Sequence, residues 1–140
     1  RSLHAEVTRL VTREVPVGET GRAARYLLLI LDANDQQPEL RQAMAPAFAT
    51  GDSSLDDVDP EALLFVTIAQ FLEGRDAWKR WERRLSTTIV RAQSNTAGVR
   101  GTWTPRGPYG DRHGRNGTTA ARILVLELYY RYSALVWLDC

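Results

Sequence analysis

A glycine-rich segment near the C-terminal end carries the residues best suited by type to bind a ligand. From Tyr109 to Gly117 the chain reads Tyr-Gly-Asp-Arg-His-Gly-Arg-Asn-Gly. Glycines expose backbone amides, arginines offer forked donors to phosphate or carboxylate oxygens, and a helix N-terminus is predicted directly downstream. These features make the segment a candidate phosphate- or carboxylate-binding site, formed by Tyr109, Arg112, His113 and Arg115.

A structural interpretation of the same segment is favoured, because glycine content alone is a weak ligand signal. The segment lacks the G-x-x-x-x-G-K-S/T pattern of a P-loop and the G-x-G-x-x-G pattern of a dinucleotide-binding turn. In this interpretation the glycines form a flexible loop, and its arginines pair with Glu127 or with the acidic loop at residues 52–61.

Acidic residues form a second group that could do chemistry, in the run Asp56-Asp57-Val58-Asp59. Asp59 is followed by Pro60 and Glu61, and this order is typical of a helix start. It supplies an N-cap oxygen, a proline with φ already set and an acid near the positive helix end. We therefore expect these acids to cap a helix.

Metal and cofactor chemistry find little support in the sequence. The possible donors Asp111, His113, Asp139 and Cys140 show no ligand spacing, so we predict no metal site and no cofactor. The single cysteine excludes an internal disulfide and a thiolate-rich site.

Length and composition predict one globular domain over residues 1–140. The chain has 140 residues, 44% apolar and 25% charged, which is ordinary for a folded domain. Its longest apolar runs, 26–31 and 62–66, are too short to span a membrane. The chain starts at Arg1 without a signal-type segment, so we expect a piece of a longer protein, and the compartment is not readable.

The charge is unevenly distributed along the chain. Residues 1–74 have a net charge of −6, whereas residues 75–115 have a net charge of +7. This polarity favours contact between the two regions, or head-to-tail association, over general affinity for polyanions.

Hydrophobic periodicity predicts helices throughout, at residues 3–11, 21–34 (capped by Thr20), 38–46, 60–73, 76–93 and from 117 toward 138. A long Gly/Pro loop is predicted at 94–116. The helices alternate between amphipathic ones and ones apolar on most sides, which indicates outer helices covering inner ones. We therefore predict an all-α fold of about six helices, arranged as helical hairpins in two layers in a partial α/α toroid.

One spaced motif carries a family resemblance. Gln93, Gly101 and Trp103 form Q-x7-G-x-W, preceded by aromatic residues at Trp78 and Trp81. This resembles the QW repeat of the squalene–hopene cyclase and protein prenyltransferase superfamily, Q-x5-G-x-W, with a spacing two residues longer. Residues 60–132 resemble the C-terminal repeats of uncharacterised bacterial squalene-cyclase-like proteins.

The resemblance implies an α/α-toroid fold. The catalytic residues of the family, however, have no counterpart at the expected spacing in this sequence. The cyclases use a D-x-D-D acid, whereas this chain has D-D-x-D before a helix, and the zinc ligands of the prenyltransferases are missing. We therefore expect a non-catalytic interaction or scaffold module that packs with another domain or subunit, including a second copy of itself.

Two alternatives remain open. The first is a cyclase- or prenyltransferase-like enzyme or a carrier, which binds an isoprenoid or phosphate ligand through the arginine segment. The second is a polyanion-binding surface on residues 75–115, although nucleic acid is disfavoured because no interleaved aromatic platform is evident. The aromatic residues that could line a cavity or an interface are Tyr129, Tyr130, Tyr132 and Trp137.

Overall fold

The computed structural model describes residues 18–31 and 54–132, and these residues form helices and connecting turns without any strand. The elements are α1 (Glu19–Leu31), a 3-10 turn (Leu55–Asp57), α2 (Pro60–Glu73), α3 (Arg75–Thr88) and α4 (Gly107–Tyr132). The all-α prediction is confirmed. The helices predicted at 3–11 and 38–46, and the part of the last helix beyond residue 132, lie outside the described residues.

Helix α2 has the bounds that its sequence predicts. Asp59 is the N-cap and its side chain accepts a hydrogen bond from the N–H of Glu61 at 3.0 Å, while Pro60 occupies the first helical position. The helix ends at Gly74, whose φ of 113° lies in the region that favours glycine. Local capping signals therefore define this helix at both ends.

The other helices differ from their predicted bounds. Helix α1 begins at Glu19, so Thr20 lies inside it instead of capping it. Helix α3 ends at Thr88, and residues 89–92 form turns where the prediction continued the helix to 93. The predicted loop 94–116 is wrong at its C-terminal end, because α4 already begins at Gly107 and is interrupted only at Gly114.

Helix α2 is central and packs against each of the other three helices. It runs parallel to α1, because Thr20 meets Asp59 where both helices begin, and Gln70 donates to the hydroxyl of Tyr26 further along, at 3.2 Å. It runs antiparallel to α3, since Trp78 meets Phe71 and Trp81, one turn later, donates to Thr67, one turn earlier in α2.

The second part of α4 also runs parallel to α2. Arg122 bonds to the carbonyl of Leu55, before α2 begins. Tyr129, two turns later, lies close enough to Glu82 in the middle of α3 to feel its charge. Three helices of one direction therefore lie side by side, with α3 running in the opposite direction.

One face of α3 forms the centre of the core. Trp78, Trp81 and Leu85, together with Ile89 directly after the helix, are all buried, and they cluster with residues of α1, α2 and α4. The indole N–H of Trp81 donates to the hydroxyl of Thr67 on α2 at 3.0 Å. This bond satisfies a buried donor between the two helices of the hairpin.

One flank of α4 is exposed, contrary to the expectation that this helix is covered on most sides. Ile123 is 48% exposed, Leu124 53% and Tyr130 65%. On the opposite flank Ala121 and Val125 are buried. Helix α4 is therefore two-faced within the described part of the chain.

Candidate functional site

The buried carboxylate of Asp59 joins the N-termini of three helices. Besides capping α2, its Oδ2 accepts from the backbone N–H of Tyr109 in the first turn of α4, at 2.9 Å. The hydroxyl of Thr20 in α1 donates to Oδ1 of Asp59 at 3.4 Å. The backbone N–H of Asp59 donates to the side chain of Glu19 at 3.1 Å. One carboxylate therefore caps the starts of α2 and α4, and two further hydrogen bonds join the start of α1 to the same residue.

A cleft of about 560 Å³ opens at this end of the helices. Four of its lining residues are acids, set against a single guanidinium. Since Glu19, Asp59 and Glu61 lie at or beside a helix start, the partial positive charge of the helix ends offsets part of the negative charge. The excess of acidic side chains over the single arginine opposes the binding of a phosphate or diphosphate in the cleft. The lining residues are Gly18, Glu19, Thr20, Asp59, Glu61, Pro108, Asp111 and Arg112.

The predicted anion-binding residues do not converge on one point. The ring of Tyr109 contacts that of His113 at 4.4 Å between centroids. Arg112 faces Glu61 across 3.8 Å, and Arg115 donates to the hydroxyl of Thr102 at 3.2 Å. Residues 107–113 are helical, so they form no loop of free amides. Arg112 thus pairs with an acid of the segment 52–61, as the structural interpretation of the sequence expects. Neither Arg112 nor Arg115 pairs with Glu127.

The glycines of this segment serve close packing. A Cβ at Gly107 would lie 2.8 Å from Oδ2 of Asp59, and one at Gly110 would lie 3.0 Å from the backbone of Pro105. A Cβ at Gly117 would collide with the side chain of His113. Close packing therefore accounts for Gly110 and Gly117 of the segment, whereas Gly114 has open space around it and a positive φ of 62°.

The acidic run before α2 pairs with the basic part of the chain. Arg106 lies 3.3 Å from Oδ2 of Asp56 and 2.8 Å from Oδ1 of Asp57. Together with the pair of Arg112 and Glu61, these contacts join the acidic and basic regions within one chain. Asp56 also lies 4.0 Å from Arg122, so the D-D-x-D run provides a helix cap and three ion pairs.

Arg122 is the buried polar residue that the sequence analysis missed. Its side chain is 1% exposed and donates to the carbonyl oxygens of Leu55, Asp56 and Val58 at 3.1, 2.9 and 3.0 Å. Burial lowers the pKa of Arg122 to about 10, and the nearby Asp56 charge opposes this shift. The guanidinium therefore stays protonated at neutral pH. The sequence feature that could have indicated this buried arginine is its position directly before the apolar run 123–126.

The three residues of the QW-like motif form one compact turn. The side-chain amide of Gln93 donates to the carbonyl of Gly101 at 3.3 Å, and Gly101 has a φ of 78°. The indole N–H of Trp103 donates to the carbonyl of Ile89 at 2.8 Å, and its ring is buried in the core. The motif closes the turn that follows α3 and brings the chain back onto the core before α4.

The structure describes only some of the aromatic residues that the sequence offers for a cavity or an interface. The rings of Tyr129 and Tyr130 meet edge to face at 4.7 Å, and burial is the main cause that raises the pKa of Tyr129. Tyr132 is the last helical residue, and Trp137 lies outside the described residues. The described pair lies near the exposed flank of α4 and does not line the cleft.

Metal ligands are not grouped in the described ranges. No three His, Cys, Asp or Glu residues there come close enough to hold an ion, and Asp139 and Cys140 lie outside these ranges. Among the same residues, none of the helices combines the length and the apolar character that crossing a membrane requires.

No family model, curated protein or solved structure shows a significant match to this chain.

Proposed function

We propose that this chain is a non-catalytic interaction module, built of α/α-toroid-like helical hairpins, and that the exposed flank of α4 packs against another domain or subunit. The observation that carries the proposal is the exposure of Ile123, Leu124 and Tyr130 on one side of a helix whose other side is in the core.

The arrangement of the helices supports this role. Helix α2 lies between α1 and α4, and all three run in one direction, as inner helices of a toroid would. Each helix in such a row needs a neighbour on both flanks, and among the described helices α4 ends the row with exposed apolar side chains on one flank. Large exposed apolar side chains that are grouped on one surface are typical of interaction sites.

The size of the exposed side chains also supports a partner. Covering a leucine or isoleucine side chain fully stabilises by about 1.5–3 kcal/mol. Partial cover of Ile123, Leu124 and Tyr130 together supplies a few kcal/mol by this measure, before the loss of translational freedom is subtracted. A stable complex therefore needs further contacts beyond these three side chains, in line with a second helical hairpin seated along α4.

The two alternatives have weaker support. An isoprenoid diphosphate would meet Glu19, Asp59, Glu61 and Asp111 in the cleft with Arg112 alone to offset them. A polyanion would have to compete for basic side chains that already face acids of the same chain, such as Arg106.

Light scattering and binding of an apolar dye test the proposal. The purified chain is expected to bind the dye and to show a mass that rises with concentration. Leu124→Lys should lower both signals while the helical circular dichroism is unchanged, because the substitution lies on the exposed flank. Thr87→Lys is the matched control, since it adds the same charge at an exposed position of α3.

Two results would overturn the interaction role. One is a folded, strictly monomeric chain that binds no dye. The other is a loss of association that is equal in Leu124→Lys and Thr87→Lys, because the effect would then come from added charge alone. A thermal shift with a prenyl diphosphate would instead favour the ligand-binding alternative.

A further inference from the structure

The first turns of α4, residues 107–113, are separated from the rest of the molecule by two glycines in left-handed conformation. Gly107 has a φ of 67°, and Gly114 has a φ of 62° with a ψ of −162°. Only glycine adopts such angles without strain, and it resists rotation least. Residues 107–113, here called the flap, are thus joined to the remaining structure through a pliable residue at each end.

The flap buries almost no side chain. Gly110 is its only buried residue, and it has no side chain to contribute. The ring contact of Tyr109 with His113 lies inside the flap, so it does not attach the flap to its surroundings. By contrast, the part of α4 after Gly114 places a row of buried residues in the protein interior, namely Thr118, Ala121, Arg122 and Val125.

Polar contacts attach the flap to the helices beside it. The N–H of Tyr109 donates to Asp59, and Arg112 faces Glu61 across 3.8 Å at an exposed position. Just before the flap, Arg106 pairs with the two aspartates of the 3-10 turn. Exposed ion pairs of this kind change an equilibrium constant by about five-fold or less each, and salt weakens them. The hydrogen bond from Tyr109 to the buried Asp59 is therefore the main contact that holds the flap, whereas the core is held by many buried side chains.

We propose that the flap opens as a local unit and swings away from the cleft while α1, α2, α3 and the remainder of α4 stay folded. A helix of this length has no stability of its own in water, so the open flap also loses its helical hydrogen bonds. Segments with few buried apolar contacts are those that open most readily in native proteins.

Opening changes the cleft and uncovers the charges beneath the flap. The flap supplies Pro108, Asp111 and Arg112 to the cleft wall, and it covers the carboxylate of Asp59. The open form removes these side chains and exposes the capped end of α2. The inference concerns the end of the helices where they begin, and it is independent of the interaction role of the α4 flank.

Native-state hydrogen exchange, resolved along α4, tests the flap. Amides at 110–113 are expected to exchange at least about ten-fold faster than amides at 121–126, because the flap opens without the core. Arg112→Gln, which removes the ion pair between the flap and Glu61, should speed exchange at 110–113 by about two- to five-fold, the range of one exposed ion-pair interaction, and leave 121–126 unchanged.

Arg131→Gln is the matched control. It removes an exposed ion pair with Glu127 from the same helix outside the flap, so exchange at 110–113 should stay as in the unchanged protein. Equal exchange rates at 110–113 and 121–126, altered together by Arg112→Gln, would overturn the proposal, because the flap would then open only with the whole fold.

Discussion

The backbone N–H of Tyr109 lies 2.9 Å from Oδ2 of Asp59, a residue 50 positions earlier in the chain. The other carboxylate oxygen of Asp59 caps α2 through Glu61. One side chain therefore caps two helices that are distant in sequence, and the start of α4 depends on a residue that no local pattern around Gly107 includes.

Replacing Asp59 should destabilise both helix starts. Asp59→Ala is expected to lower the free energy of unfolding by about 2–4 kcal/mol, since it removes an N-cap and a second buried hydrogen-bond acceptor. Asp59→Asn keeps one carbonyl oxygen and should lose about half as much. Chemical denaturation measures both. Ser54→Ala, which removes the exposed cap of the 3-10 turn, serves as the control and should cost less than about 1 kcal/mol. A loss no larger in Asp59→Ala than in Ser54→Ala would contradict the double cap.

Replacing Arg122 should leave three carbonyl groups without their donors. Arg122→Met keeps much of the side-chain volume, and we expect a loss of about 3 kcal/mol, since unsatisfied buried groups cost about 1–3 kcal/mol each and relaxation recovers part. Arg122→Lys should lose less, because an ammonium reaches some of the carbonyls. Arg131→Met, at an exposed position of the same helix, should change stability by less than about 0.5 kcal/mol. Equal effects at 122 and 131 would contradict the bonding shown here.

The stability that Arg122 supplies should not depend on pH near neutrality. Burial lowers its pKa in the folded chain to about 10, so this group is protonated in both states below that value. Above that pH the folded chain loses the proton before the unfolded chain does, so the unfolded chain binds more protons there and this group alone makes stability rise with pH. The difference in unfolding free energy between the unchanged chain and Arg122→Met should therefore be constant from about pH 6 to 8. A difference that falls steeply across that range would contradict it.

Two glycine substitutions separate backbone strain from crowding. Gly107→Ala combines a positive φ with a Cβ 2.8 Å from Asp59, whereas Gly98→Ala has a φ of 83° and open space around the Cβ. We expect Gly98→Ala to cost about 1 kcal/mol from the backbone alone, and Gly107→Ala to cost about 1–3 kcal/mol more. Thermal unfolding of both variants measures the difference. Equal losses of stability in the two variants would show that Asp59 moves away from the added Cβ at Gly107 without a cost in free energy.

Trp103 of the QW-like motif should matter more than Gln93. Trp103→Phe removes the bond to the carbonyl of Ile89 and leaves a small cavity, so we expect a loss of about 1.5–3 kcal/mol. Gln93→Ala removes an exposed hydrogen bond and should lose less than about 1 kcal/mol. Denaturant titration followed by circular dichroism compares the two variants. A larger loss for Gln93→Ala would contradict this order.

The parts of the fold that local sequence controls could be predicted. Helix α2 has its cap, its first-turn proline and its terminal glycine within its own sequence, and the buried stripe of α3 follows from helical spacing. The start of α4 was missed because its glycines read as a loop, although Pro108 at the first turn was a helix signal. Its N-cap partner, Asp59, lies in another element.

The candidate site was harder to predict for the same reason. The composition of the segment from 109 to 115 suggests an anion site, but the pairing of Arg112 depends on where Glu61 is brought by the fold. Likewise, the role of Arg122 depends on carbonyl groups at 55–58, which carry no side-chain signal. Contacts of this kind become visible only in three dimensions.

The reach of Arg122 back to the segment before α2 has a consequence for biosynthesis. The bond to Leu55 spans 67 positions, and it is made by a residue near the end of the chain. During translation, the segment leading into α2 therefore emerges long before the guanidinium that anchors it. The nascent polypeptide cannot form these hydrogen bonds until α4 has left the ribosome.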